Sequence, residues 1–228
     1  MESWDRLPQD MRTEEIRPYY EALRKKEMQL VGKRMMDVGV SVFLLLLLFP
    51  VLVGIAVAIS VTSKGGPFFL QERVTTYGKR FRIIKFRTMV KDASSLGTAV
   101  TSDNDSRVTE IGAFLRKYRL DELPQLINII MGDMSLVGVR PEVPKYVEKY
   151  TPEMMATLLL PAGVTCDASI RYKDEAEILG EATGDEADRI YMEKILPEKM
   201  KYNLDYVENY SLLRDIRLCF STVINVIR

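Results

Sequence analysis

The 228-residue chain contains no histidine. That absence excludes Ser-His and Cys-His nucleophilic sites, imidazole-based zinc sites and a histidine general base. It has two cysteines, Cys166 and Cys219, far apart and in no metal or redox spacing. The expectation is two reduced thiols in a cytosol-facing protein, with no disulfide framework. It also lacks net charge, with 32 basic and 32 acidic residues, which argues against general nucleic-acid binding. There are no internal repeats and no low-complexity tracts. "DNDSR" at 103–107 opens like a calcium loop, but Val108 and Phe114 stand where the turn glycine and the closing glutamate belong, so an EF-hand is excluded.

What remains is an ordinary globular composition, 47% hydrophobic and 28% charged, with charge unevenly placed. Between Lys64 and Lys91 eight Lys/Arg face one Glu, and an anionic ligand is expected there. Residues 38–63 carry no charge, and 26 such residues exceed the ~20 a helix needs to span a bilayer. A polar segment precedes them and no small-residue cleavage site follows, so this is not a signal peptide. Pro50 sits near the middle, where it removes a helix hydrogen bond and bends the axis. Basic residues flank both ends: Lys25, Lys26, Lys33 and Arg34 before, Lys64, Arg73, Lys79, Arg80 and Arg82 after. The positive-inside rule places both flanks in the cytoplasm. A re-entrant helix broken at Pro50 is therefore preferred over a kinked span, with Ser41 expected to help re-satisfy freed backbone groups.

The surrounding pattern predicts an α+β, mainly helical protein. Residues 1–36 read as a leader with an amphipathic helix over 19–32, 37–63 as the membrane helix, and 64–228 as a cytosolic domain. "FFLQERV" and "KRFRIIKFRTM" predict a β-hairpin, with a bulge or strand end at Ile83-Ile84, beyond which Lys85 and Arg87 share a face. Residues 92–108 read as a loop and 109–117 as a helix. A second helix is expected from about Glu122 to Met131, ending at Gly132, with Asp121 as its N-cap and Pro124 in its first turn. "GDMSLVGVRPEVP" reads as turns carrying Arg140, and the pattern from about 145 onward is helical. The tail "SLLRDIRLCFSTVINVIR" is apolar over most of its circumference, with Arg214, Asp215 and Arg217 on a polar strip; core packing and a place in the membrane interface both fit.

The carboxylates Asp121 and Glu122 are adjacent, and a cap with a favourable dipole charge would account for them alone. Their neighbours suggest more. Arg116 and Arg119 precede them, Arg140 follows, and Lys85 and Arg87 come from the basic hairpin. A carboxylate pair among cations suits phosphoryl chemistry, and an aspartate ionised at neutral pH attacks phosphorus without a base. Repulsion from an anionic diphosphate must be offset, by a magnesium ion on Glu122 and the phosphate oxygens and by Arg/Lys.

"KRMMDV", the Pro-broken apolar helix, "GGPFFLQERV", "GKRFRIIKFRTM", "DNDSRVTEIGAFLRKYRLDELPQLINIIMGDMSLVGVRP" and "DYVENYSLLRDIRLCFST" occur in this order. Over residues 33–228 they resemble the bacterial sugar transferase family, the monotopic phosphoglycosyl transferases. The resemblance implies a re-entrant helix and a cytoplasmic-face active site at the bacterial inner membrane. It implies transfer of a phosphosugar from a UDP-sugar to polyprenyl phosphate with release of UMP, an early membrane step in glycoconjugate or polysaccharide assembly. By position, Asp121 corresponds to the nucleophile and Glu122 to its magnesium-binding partner, with Asp121 also near the metal. Lys85, Arg87, Arg116 and Arg140 correspond to phosphate contacts. Val139 replaces the proline of "GPRP", Ala162 departs from proline-glycine, and "SIRYKDE" replaces a segment with "GRN", which leaves Arg171 or Lys173 as substitute nucleotide-sugar contacts. A homodimer through the leader is compatible with the pattern. A non-catalytic membrane scaffold for a polysaccharide assembly complex is the rival reading; it leaves the cations around Asp121-Glu122 unexplained.

Overall fold

The structure, a computed structural model, describes residues 1–93, 105–171, 178–180, 182 and 184–227. It is mainly helical, with two small sheets. Helix α1 (Arg17–Arg24) is followed by one continuous helix, α2 (Glu27–Thr62), which contains Pro50. The helix expected over 19–32 is therefore two elements, and the charged start of α2 belongs to the apolar helix. The leader is not a surface appendage. Leu7, Met11, Ile16, Tyr20 and Leu23 pack with Leu159, Tyr206, Val207 and Tyr210 in the largest core cluster.

Only 6% of the most apolar window of α2 is buried, so it is not the core helix of a soluble protein. Its two arms nevertheless touch the globular body. Leu44 and Leu45 pack against Phe81, Ile83, Leu126 and Ile129, while Leu52, Ile55, Ala56 and Ile59 pack against Phe86 and Leu115. Around Pro50, Leu46, Leu47, Phe49, Val51 and Val53 are exposed. Ser41 does not play its expected part: it is fully buried and its hydroxyl has no hydrogen-bond partner among the described residues. It lies nine residues before Pro50, more than two helical turns away, whereas proline frees the carbonyl four residues back.

Three charged residues of "KRMMDV" moor α2. Lys33 Nζ donates to Asp215 Oδ2 at 2.6 Å and to the Val137 carbonyl at 2.7 Å. Arg34 donates to the Ile129 and Ile130 carbonyls, and Asp37 accepts from the Ser135 hydroxyl and the Leu136 N–H. Asp215 is fully buried, so the tail's polar strip points inward at that residue rather than to solvent.

Strands β1 (Phe68–Val74) and β2 (Arg80–Phe86) form the antiparallel hairpin in unbroken register from Phe68↔Phe86 to Val74↔Arg80. Neither of the expected breaks, a bulge or a strand end, occurs at Ile83-Ile84: the ladder runs through both residues to Phe86. Ile83 faces the core while Ile84 gives its N–H to Asn128 Oδ1, whose amide donates to the Arg82 carbonyl. Helix α3 (Glu110–Lys117) is capped by Thr109, which accepts from the Gly112 N–H at 3.0 Å. Helix α4 (Gln125–Met131) ends at Gly132, whose φ of 93° suits glycine. The turn-rich segment hides strand β3 (Met134–Val137), which pairs in parallel with β4 (Ala162–Thr165). Short helices α5 (Pro144–Val147) and α6 (Asp167–Arg171) lead to α7 (Gly184–Ile190), a π-turn at Tyr191–Ile195, α8 (Leu196–Glu208) and the tail helix α9 (Leu212–Ile227).

Candidate active site

The carboxylate pair lies on a 3-10 turn, Leu120–Glu122, and not at a helix cap. The residue capping α4 is Pro124, which offers no side-chain bond, and α4 starts only at Gln125. The chain enters the turn through Arg119 in the left-handed region, φ 52°. That conformation is costly for a non-glycine residue. It reverses the chain after α3, and it leaves Asp121 and Glu122 on a turn with no capping task.

Asp121 and Glu122 are 9% and 8% exposed and line a cleft of about 760 Å³. That size is within the range for small-ligand sites. Lys85, Arg87, Arg116, Arg119, Arg140 and Arg73 line the same cleft. All six site residues expected at 85–140 therefore meet in one place, although they come from β2, its C-terminal extension, α3, the 3-10 turn and the segment after β3.

Their bonding is unequal. Glu122 Oε1 accepts from Lys85 Nζ at 3.0 Å and from Arg140, and Arg119 approaches Oε2 at 3.7 Å. Burial raises the Glu122 pKa, but the charges of Arg140 and Lys85 outweigh it and hold the carboxyl far below the usual range. Asp121 is in no ion pair among the described residues. Burial and then the Glu122 charge push its pKa up, partly offset by Lys85 and Arg116. One carboxylate is thus a structural anion and the other has a free charge.

The remaining cations are positioned by backbone and hydroxyl contacts. Arg116 Nε donates to Thr88 Oγ1 at 2.9 Å. Arg87 donates to the Ser63 carbonyl at 2.9 Å, closing the end of α2, and lies so close to Gly65 that a Cβ there would stand 2.1 Å from its guanidinium. Its place is thus both at the cleft and at the membrane helix, a double role the hairpin alternation does not reveal. Four cleft cations, Arg73, Lys91, Arg107 and Arg119, receive no role from the sequence reading. Arg119 was visible as a neighbour of the pair, but nothing in the sequence gives its left-handed turn. Arg73 donates to Gln71 Oε1 and to the Pro141 carbonyl, which fixes the segment carrying Arg140. Arg171 closes α6, while Lys173 and residues 94–104 of the expected loop lie outside the described residues.

The donor set fits a hard divalent cation only in part. No cluster of three or more His, Cys, Asp or Glu occurs among the described residues. Asp121 and Glu122 are two hard oxygen donors, and magnesium is commonly held by one or two carboxylates with substrate phosphates completing its shell.

A family model described as bacterial sugar transferase matches residues 28–228. The chain is 34% identical over 194 residues to the UDP-N-acetylgalactosamine-undecaprenyl-phosphate N-acetylgalactosaminephosphotransferase of Aeromonas hydrophila, covering 84% of this chain and 42% of that protein. It is 35% identical over 196 residues to the UDP-glucose:undecaprenyl-phosphate glucose-1-phosphate transferase of Klebsiella pneumoniae, covering 85% of this chain and 40% of that protein. An exopolysaccharide production protein of Rhizobium leguminosarum bv. phaseoli is similar over almost its whole length, 34% identical with 87% of this chain and 96% of that one covered. The chain thus spans less than half of the first two relatives.

Proposed function

The chain belongs to the bacterial sugar transferase family, and from that premise we propose that it moves a phosphosugar from a UDP-sugar to polyprenyl phosphate through an aspartyl intermediate. The observation that carries the reading is the division between the carboxylates: Glu122 gathers Lys85, Arg140 and Arg119, while Asp121 beside it has no ion pair among the described residues. In the first step an Asp121 Oδ attacks the β-phosphorus. The bond from that phosphorus to the bridging oxygen breaks, and UMP leaves with the electron pair. In the second step an oxygen of polyprenyl phosphate attacks the same phosphorus, and Asp121 departs as carboxylate. One phosphoanhydride replaces another, so no further energy source enters.

Arg116, held by Thr88, and Arg140 carry the charge that faces the diphosphate and the departing UMP. Glu122 and Asp121 would hold a magnesium ion shared with the diphosphate, which would supply electrophilic charge to the phosphate oxygens. The buried position of Asp121 limits water around its carboxylate and protects the intermediate from hydrolysis.

The acceptor is a lipid, and the fold reading that accompanies this function is a re-entrant α2 that enters and leaves on the cytoplasmic face. Both arms pack on the same body, both ends are tied to it through Lys33 and Arg87, and the exposed apolar side chains cluster around Pro50. In this reading the cleft works at the water–lipid boundary, and the packing of both arms supports it. The test uses purified protein with magnesium and a UDP-sugar but no lipid. One equivalent of UMP and a phosphosugar mass adduct on Asp121 are expected. Absence of the adduct, with Asp121→Asn turning over normally, would rule out the covalent route.

A further inference from the structure

The proposed donor site has an unresolved conflict of charge. Lys85 and Arg140 both line the cleft proposed for the diphosphate, yet both are engaged. Lys85 Nζ donates to Glu122 Oε1, and Arg140 places one guanidinium nitrogen on the same oxygen. Arg119 faces the second oxygen. The three cations arrive from three separate segments and converge on a carboxylate that is 8% exposed. Without an anion between them they would repel one another at short range in a poorly hydrated cleft. The Lys85 ammonium illustrates this: burial pushes its pKa down, Glu122 pulls it up, and Arg140 pushes it down again.

We infer that Glu122 is a built-in stand-in for the donor's diphosphate: it neutralises Lys85, Arg140 and Arg119 in the empty cleft and must give them up when a nucleoside diphosphate binds. This inference rests on the donor reading above and deepens it. The site binds by exchange of one anion for another. Whatever draws Glu122 away from the cations strengthens diphosphate binding, and by linkage the diphosphate strengthens that withdrawal. A divalent cation taken up by Glu122 has this effect, so donor and metal bind with positive coupling. The folded state needs the stand-in as well, because the half-buried Lys85 and Arg140 would be costly without a counter-ion, while Arg119 remains exposed. Glu122 therefore serves the empty protein and hinders the first stage of binding with the same contacts.

The test is calorimetric binding of UDP, which has no sugar to transfer, to the full chain in detergent micelles. Uridine serves as the uncharged control, and each ligand is titrated in EDTA and in magnesium. Wild type is expected to bind UDP weakly in EDTA and more tightly in magnesium. Glu122→Gln, whose amide keeps the shape and loses the charge, is expected to bind UDP in EDTA at least about tenfold more tightly than wild type, the scale of one short-range charge contact. Its gain from magnesium should shrink, and uridine binding should not change. If the Gln variant does not fold by circular dichroism, Glu122→Ala supplies the same comparison. A folded variant that binds UDP in EDTA no more tightly than wild type overturns the inference, as does an equal gain for uridine. Wild type that binds no UDP even with magnesium overturns the donor reading and the inference together. Loss of the Asp121 adduct alone overturns the covalent step and leaves the exchange standing.

Discussion

Replacing Lys33 by methionine should unfold this protein more readily than any surface change could. Its ammonium lies 2.6 Å from Asp215 Oδ2 and 3.9 Å from Asp37 Oδ2, and donates to the Val137 carbonyl at 2.7 Å. Asp215 is fully buried and Asp37 nearly so. Methionine fills the space of the stem but leaves two buried carboxylates without their cation and a carbonyl without its donor. Asp215 retains the Tyr206 hydroxyl at 2.8 Å, and Asp37 retains Ser135 and Leu136, so the loss is of charge compensation more than of hydrogen bonds. Breaking a buried pair from one side costs about 3–5 kcal/mol. For a chain of this size that is a fall in Tm of roughly 6–20 °C. The assay is circular dichroism melting in micelles at pH 5 and pH 8. The sign with pH follows from Asp215. Burial already raises its pKa and Lys33 opposes that rise, so the variant's Asp215 takes up a proton at higher pH than wild type. Protonation in the folded state restores stability as pH falls, and the deficit should be smaller at pH 5 than at pH 8. The double variant Lys33→Met with Asp215→Leu should recover most of the loss. A single variant within about 1 kcal/mol of wild type at pH 8, or an equal deficit at both pH values, would refute the reasoning.

Asp121→Asn should abolish UMP release, by about 10⁴-fold or more, with Tm unchanged or higher. Burial and Glu122 disfavour the charge of Asp121 in the folded state, so removing it cannot weaken folding through charge; a marked drop in Tm would mean the carboxylate is structural. Single-turnover UMP release measured against pH should fall on acidification, because the ionised form attacks. The midpoint should lie above the ~3.9 of an ordinary aspartate, since the pKa is raised, and a midpoint at or below that value contradicts the burial argument. Cysteines placed singly at Lys25 and Lys64, in a background without Cys166 and Cys219, should both react with an impermeant maleimide from the cytoplasmic side of sealed vesicles. Labelling of the two positions from opposite sides would show a span and remove the re-entrant placement of the cleft.

Much of the chemistry was legible because it depends on residue types close in sequence. The adjacent Asp121 and Glu122, the basic stretch from Lys64 and the missing histidine restrict the options before any fold is known. Other features were misread for identifiable reasons. Asp121 resembled an N-cap because an acidic residue before a proline and an apolar run has that pattern; a left-handed Arg119 instead inserts a 3-10 turn and delays α4 to Gln125. Asp215 resembled a solvated charge because its counter-ion, Lys33, is 182 residues away in sequence. Strands β3 and β4 were hidden because each is four residues long and, among the described residues, they pair with each other alone.

The sequence by itself determined the long apolar helix, the hairpin, the placement of cations near the carboxylate pair and the exclusion of imidazole chemistry. These follow from hydrophobic length, alternation and inventory, which are local properties of a chain. Only the tertiary structure decided which carboxylate would be bound and which left free. That difference arises because Lys85 and Arg140 come from distant segments and converge with the adjacent Arg119 on one oxygen pair, and charge interactions depend on distance in space, not on separation along the backbone.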